Sequence, residues 1–291
     1  MSAKWRVTQE ESGSNLSNFL QAKLNHLTAR SVKRSLEAGM CRLNGQVERF
    51  RSRLVGFGDV VEFSCDSSIV LEKSNEDPFL YVDQNLIAYN KPSGVSSEDP
   101  VLLSRVKKRA KEAILLHRLD KDTTGVLLFA CNDPAAQAFF DLFKKRLIEK
   151  TYLAIVDGAP KEESGVIENY LGKLHSYQGG VIWGATSKEK GLLAITSWKK
   201  IATNKSGQSL LQCNPQTGRT HQIRVHLSEM GHKVLGDPVY GRDLKNRYRP
   251  MRTMLHAQKV SFIHPLTEEA VLIEAPLPKD FQESCKLLFN L

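Results

Sequence analysis

Arg118, Asp120, Lys121 and Asp122 fall within five residues, directly ahead of the apolar run "GVLLFA". Charged groups taken out of water need partners, so charges at the mouth of a core belong either to a structural ion network or to a site. The chemistry available here is that of one carboxylate among cations. Asp120 has Arg118 and Lys121 beside it, and far downstream "NPQTGRTHQIRVHL" places Arg219 after a Pro/Gly turn, at the expected start of a helix. An arginine paired with an aspartate favours its charged form and grips it directionally. An ionised aspartate can then act as a nucleophile that forms and breaks a covalent bond. From the residues alone, a salt bridge in a basic loop explains the same pattern, and both readings stay open.

Other chemistries find less support. The chain has no GxSxG elbow, no GxxxxGK[ST] phosphate loop and no GxGxxG. His221 and His226, five apart, would stand about 140° apart on a helix and share no face, so no metal site is expected. Asp120 and Asp122 are i and i+2 in an extended loop and point opposite ways, which argues against the facing carboxylates of a glycosidase. Five cysteines at 41, 65, 131, 213 and 285, with no CxxC pair, suit a reducing compartment rather than a disulfide framework or a zinc finger. The N-terminal residues have no secretory apolar core and no stretch approaches the roughly 18 apolar residues of a membrane span. A cytoplasmic protein is therefore expected.

Charge points to the partner. Lys and Arg number 41 against 32 Asp and Glu, a net +9, which favours a polyanion, nucleic acid before membrane. The excess is clustered. Residues 29–53 hold seven basic and two acidic side chains, residues 105–111 hold five basic ones, and residues 242–252 hold five with one acid.

The elements that must position these groups divide the chain. Residues 1–14 read as a tail. Residues 15–63 read as a small unit, with one helix capped by Asn15, a second carrying Val32 and Leu36 inward and stopping at Gly39, a hairpin at Asn44-Gly45 and a strand in "GFGDVVEF". On its second helix Arg30 lies three and four residues from Lys33 and Arg34, so the three share a face that suits phosphate contacts. The polar stretch 64–78 reads as a linker. From 79 to 291, "FLYVDQNLIAY", "GVLLFA", "TYLAIVDG", "LAITSWKKI", "SLLQCN", "VSFIH" and "AVLIEA" read as strands. The segment "DPAAQAFFDLFKKRL" reads as a helix capped by Asp133, with Pro134 in its first turn. So many strands with so few helices point to a mixed, largely antiparallel sheet.

"HRLDKDTTGVLLFA", "KTYLAIVDG", "NPQTGRTHQIRVHL" and "GDPVYG", in this order, resemble the RluA-type RNA pseudouridine synthases, and the likeness runs from about Leu80 to the C-terminus. Residues 15–63 resemble the small ribosomal-protein-S-four type of RNA-binding module. The resemblance implies an α+β chain: a catalytic domain with a central mixed sheet and a cleft, preceded by a small α/β RNA-binding module. It implies that Asp120 is the catalytic aspartate, that Arg118 enters the RNA where the target uridine has flipped out, and that Tyr152 stacks on the uracil and assists proton removal. Arg219 is implied to pair with the aspartate. The implied reaction needs no cofactor and no metal: the glycosidic bond of uridine breaks, the freed uracil turns, and its carbon 5 rejoins the sugar. Extruding the uridine costs a few kcal/mol, and Arg118 filling the gap offsets part of it.

The implied partner is RNA, ribosomal RNA of the large subunit ahead of tRNA, with no membrane and no obligatory protein partner, the chain acting as a monomer. A catalytically silent RNA-binding or ribosome-assembly factor is the alternative, and a glycosylase releasing free uracil is another. Three departures from the family pattern stand out: "NKPSGVSSEDP" has no histidine, the stretch from Pro92 to His117, read as a loop, carries the basic "RVKKRAK", and Thr124 stands where serine is common. Deletion of residues 1–72 is expected to raise KM and leave the site largely intact.

Overall fold

The computed structural model describes residues 2–23, 29–37, 39–64, 77–177, 180–241, 244, 248–250 and 252–291. At the N-terminus, strand β1 (Ser2–Arg6) precedes helices α1 (Leu16–Lys23) and α2 (Ala29–Glu37) and strands β2 (Cys41–Leu43), β3 (Gln46–Val47) and β4 (Val60–Ser64). The strands form a sheet in the order β1-β4-β2-β3. Strand β1 occupies part of the segment read from sequence as a tail: Trp5 pairs with Val61 and Arg6 with Val60 along the free edge of β4. Asn15 caps α1 by accepting from the Asn18 amide at 2.9 Å. Asn44 and Gly45 both take positive φ, 54° and 78°, the conformation a two-residue turn of this hand requires. Leu16, Phe19, Leu20, Val32, Leu36, Val61 and Phe63 close the core.

The rest of the chain is built on one large sheet. Its strands are β5 (Phe79–Val82), β6 (Leu86–Lys91), β7 (Ile114–Leu115), β8 (Thr124–Ala130), β9 (Glu149–Asp157), β10 (Ser164–Tyr177), β11 (Gly180–Thr186), β12 (Leu192–Thr203), β13 (Gln208–Pro215), β14 (Leu255–Ile263) and β15 (Ala270–Glu274). The order is β11-β10-β12-β13-β9-β14-β8-β6-β5, with β15 against β14 and β7 against β8. Among the described residues one junction is parallel, β14 with β8, where His256 faces Thr124 and Ala257 faces Gly125; the others are antiparallel. The mixed, largely antiparallel sheet read from the sequence is the one observed.

Strand β8 is buried along its whole length because both sheet faces are covered. Val126, Leu128 and Ala130 pack toward Phe139 of helix α4 (Asp133–Lys145). Leu127 and Phe129 pack toward Leu102 and Val106 of helix α3 (Pro100–Lys107). An unbroken apolar run is what a strand buried on both sides needs. Helices α5 (Gln222–Glu229) and α6 (Lys279–Phe289) complete the domain. Among the described residues no helix is long and apolar enough to cross a membrane.

Three local readings are corrected. The basic segment between Pro92 and His117 is not simply a loop, because Asp99 caps α3 there, accepting from the Val101 and Leu102 amides. The cap of α4 is Asn132, which accepts from the Ala135 amide at 2.9 Å, and Asp133 is the first helical residue. The β10–β11 hairpin escapes the sequence pattern, because glycines and polar residues interrupt its alternation.

Candidate active site

The catalytic-loop candidates sit where β8 enters the sheet. Gly125 has φ +113°, and a Cβ there would lie 2.0 Å from the Ala257 carbonyl oxygen. Only glycine lets β8 approach β14 so closely. Beside it the Thr124 hydroxyl meets His256 Nδ1 at 2.9 Å, so threonine in place of serine keeps the hydroxyl in use. The chain before β8 then turns tightly, with the Thr123 amide donating to the Asp120 carbonyl at 3.0 Å.

Behind this turn Lys91, fully buried, donates to the carbonyls of Pro92, Val95 and Lys121 at 2.9, 2.8 and 3.0 Å. Burial lowers its pKa to about 7, against the opposing pull of Asp122 and Asp120. Lys91 therefore ties the "NKPSG" segment to the backbone next to Asp120. His117 also holds the loop's approach to the sheet, since its Nε2 accepts from the Leu128 amide at 3.2 Å. Burial, with the nearby Lys150 charge, lowers its pKa to about 3, so the ring stays neutral and free to accept.

Asp120 looks into a cleft of about 1040 Å³ whose walls include His117, Arg118, Tyr152, Trp183, Arg219 and Arg224. That volume is at the upper end of the few hundred to roughly 1000 Å³ of small-molecule pockets and leaves room for a nucleotide. Its side chain is 23% exposed, and Oδ2 accepts from Arg224 Nη1 at 3.1 Å.

The expected Arg219 pair is not what forms. Arg219 Nε donates to the Leu193 carbonyl at 3.0 Å and its amide to Gln222 Oε1 at 3.0 Å, on the cleft wall. The physical reason lies in the helix start. His221, with φ +56°, is the residue before α5, so Arg219 belongs to the turn, and Arg224 in the first turn of the helix projects inward. There Arg224 is held between two carboxylates. Nε and Nη2 meet Asp237 Oδ2 and Oδ1 at 2.7 and 2.8 Å, leaving Nη1 for Asp120. Burial opposes the charge of Arg224, yet Asp237 and Asp120 outweigh it and hold its pKa well above the usual value. Asp237, of the "GDPVYG" motif, is fully enclosed and also accepts from the Val239 and Tyr240 amides.

Sequence reasoning passes over Arg224, although it stands within the same motif as Arg219. A signal was present: an arginine between Ile223 and Val225, on a helix whose residues 222–227 are all buried, must have a buried partner. Asp237 and Lys91 carried no comparable signal, because only the fold buries them and brings them to Arg224 and to the Lys121 carbonyl.

Tyr152 lies on β9, paired with Ala257 on one side and Cys213 on the other, and lines the same cleft as Asp120. Burial, and then the Asp120 charge, raise its phenol well above the ordinary value. Tyr152→Phe keeps the ring and removes the hydroxyl. It is expected to bind RNA like the wild type and lose at least about tenfold in turnover, somewhat below what positioned proton transfer typically contributes; full activity would reduce Tyr152 to a stacking platform.

Arg118 stands at the cleft rim with its side chain 72% exposed, 3.8 Å from Glu98, and is available to an incoming strand. The two histidines do not act together. His221 Nδ1 meets the Tyr240 hydroxyl at 2.9 Å, while buried His226 engages Thr196 and Asn169 through its two nitrogens at 2.9 and 3.0 Å. Of the N-terminal candidates, Arg30, Lys33 and Arg34 all lie on α2. Lys33 is exposed, 4.0 Å from Glu37; the side chains of Arg30 and Arg34 lie outside the described residues.

Comparison with known proteins decides the family. Residues 85–229 match the model of the RNA pseudouridylate synthase family. Over 97% of its length the chain is 31% identical to a ribosomal large subunit pseudouridine synthase D of Zymomonas mobilis, of which it covers 96%. The chain belongs to the RNA pseudouridine synthases. It is also 31% identical to a ribosomal large subunit pseudouridine synthase C of Haemophilus ducreyi, over 93% of this chain and 91% of that protein. The solved structure of human RNA Pseudouridylate Synthase Domain Containing 1 superposes with a TM-score of 0.59 at 30% identity, covering 69% of this chain and 83% of that one.

The synthase isomerises uridine in RNA to pseudouridine, so its partner is RNA. The matched segment contains Asp120, Tyr152, Arg219 and Arg224. Asp237, which completes the hold on Arg224, lies beyond it.

Proposed function

We propose that this synthase modifies large-subunit ribosomal RNA and that Asp120 is its catalytic carboxylate. One observation supports the assignment above the others: in the cleft the Asp120 carboxylate is gripped by a buried arginine, with the Tyr152 phenol lining the same wall. A carboxylate so held is oriented before substrate arrives, which is how a positioned group lowers a barrier. In this reading Asp120 promotes cleavage of the N1–C1′ glycosidic bond of the flipped uridine, Tyr152 packs on the uracil, and the uracil turns and bonds to C1′ through carbon 5, which loses its proton while N1 takes one up. Arg118, at the rim, fills the gap left in the RNA. The ribosomal target rests on the names of the two bacterial relatives, each aligned over more than nine-tenths of its length, with tRNA the alternative. The chain acts as a monomer.

Mapping pseudouridines in total RNA with and without this gene tests the target. Loss of one or more sites in large-subunit ribosomal RNA supports the reading, loss confined to tRNA overturns the target, and an unchanged map points to the silent RNA-binding alternative. Release of free uracil from RNA would instead identify a glycosylase.

The N-terminal module takes up RNA through phosphate contacts on α2. Changing Arg30, Lys33 and Arg34 together to alanine is expected to weaken binding to structured RNA. It should also flatten the salt dependence by up to about 0.7–0.9 log units of affinity per log unit of salt for each phosphate left without its cation, with site choice unchanged. Binding measured across a salt series checks this, and an unchanged slope assigns α2 no phosphate contact.

A further inference from the structure

Asp122, two residues beyond Asp120, has a partner from outside the catalytic domain. Arg49, in the segment between β3 and β4, reaches across the boundary and places Nε 2.7 Å from Asp122 Oδ2. Both side chains are buried, at 7% and 12% exposure. The module is shaped around this arginine. Its guanidinium lies against Gly39, where a Cβ would come within 1.8 Å of Nη1, and Glu48 Oε1 accepts from the amides of Arg49 and Phe50 at 3.0 Å each.

The residue between the two aspartates is held from both sides. The Lys121 ammonium lies 3.7 Å from Glu37 at the end of α2, and its carbonyl is held by Lys91 and by the Gly94 amide. Residues 120, 121 and 122 are thus each held by a different set of contacts, and the module supplies those made by Glu37 and Arg49. Beside these contacts lies a groove of about 790 Å³, lined by Lys33, Arg49, Arg51, Lys121, Trp183 and Arg224 among others.

A buried ion pair adds little as a fold stabiliser, because desolvating both charges offsets most of their attraction. This one is weaker still, since Arg49 Nη1 and Nη2 and Asp122 Oδ1 are buried with no hydrogen-bond partner among the described residues. What such a pair does supply is direction, because a planar guanidinium engages a carboxylate in a narrow set of geometries.

We propose that Arg49 is a positioning residue for catalysis: through Asp122 the N-terminal module fixes the turn that carries Asp120, so the module contributes to turnover as well as to RNA capture. The proposal rests on Asp120 being the catalytic carboxylate. It also replaces the expectation that removing residues 1–72 raises KM alone, because that deletion takes away Arg49 and Glu37 together.

The test uses the full-length protein and protein-free large-subunit ribosomal RNA from a strain lacking the gene, with kcat and KM measured separately. Arg49→Gln and Asp122→Asn are each expected to lower kcat about ten- to a hundredfold, the cost of a carboxylate displaced by a fraction of an ångström to an ångström, with KM within about twofold. The double variant should fall no further than either single one, since both remove one interaction. Arg49→Lys, which keeps a charge near Asp122, should recover part of the loss. Thermal melts accompany each variant, so that Asp122→Asn and Arg49→Lys carry the test if Arg49→Gln unfolds. A loss confined to KM, an unchanged kcat in the folded variants, or losses that multiply in the double variant overturns the proposal. Asp120→Asn, assayed alongside, separates the two ideas: if it stays active the catalytic assignment fails, and if it alone is inactive only the role of Arg49 fails.

Discussion

Replacing Asp120 with asparagine is expected to cut pseudouridine formation by at least about a thousandfold, roughly 4 kcal/mol of activation free energy, while RNA binding stays within about twofold. The amide has the size and shape of the carboxylate, and its oxygen can still accept from Arg224 Nη1. What it lacks is the negative charge needed to attack or to take a proton. Folding should be little affected. Asp120 is partly exposed, and Arg224 keeps its two-point contact with Asp237, so a change of about 1 kcal/mol or less is expected. Turnover on ribosomal RNA, a binding isotherm and a melt check the three parts. Turnover above a few per cent of wild type would falsify the central role of Asp120.

The second large effect concerns Arg224, for which the sequence offered Arg219. Arg224→Ala leaves Asp237 fully enclosed with no cation, and its two backbone amide donors satisfy only part of the carboxylate. Breaking a buried pair by removing one partner costs about 3–5 kcal/mol, a large share of the roughly 5–15 kcal/mol that holds a typical domain folded. The variant should therefore melt far below the wild type, and its folded fraction should be inactive because Asp120 has no grip. Arg224→Lys keeps a charge but cannot span two carboxylates, so it should recover stability better than activity. Arg219→Ala, by contrast, removes a donor to the Leu193 carbonyl and should cost only about 1 kcal/mol. Melting and activity of the three variants separate the two arginines. Equal effects from Arg219→Ala and Arg224→Ala would mean that the pair shown by the structure does not govern the site.

Much of this protein was legible without coordinates because the relevant signals are local. The unbroken run "GVLLFA" belongs to a strand covered on both faces, Asn44-Gly45 makes the turn that its positive φ values allow, and Asn15 caps the helix that follows it. Asp120 was legible for a related reason. Four charges against a buried strand contradict packing, and that contradiction sits within a dozen residues. Lys33 could be placed on its helix because spacing of three and four is a property of helices everywhere.

What the tertiary structure decided is which charges meet. Asp120 chooses Arg224 over Arg219, 104 residues away against 99 by their positions in the chain. Sequence spacing cannot separate the two, but the left-handed turn at His221 and the inward face of α5 do. Lys91 holds the loop through the Lys121 carbonyl, while Asp237 holds the arginine that meets Asp120. Arg49 reaches Asp122 only because two units with separate cores are docked face to face. A sequence records the local preferences that make helices, turns and buried strands. The pairing of distant charges is set by the registers of the large sheet and by the docking of the module, which arise when the whole chain buries its apolar faces together.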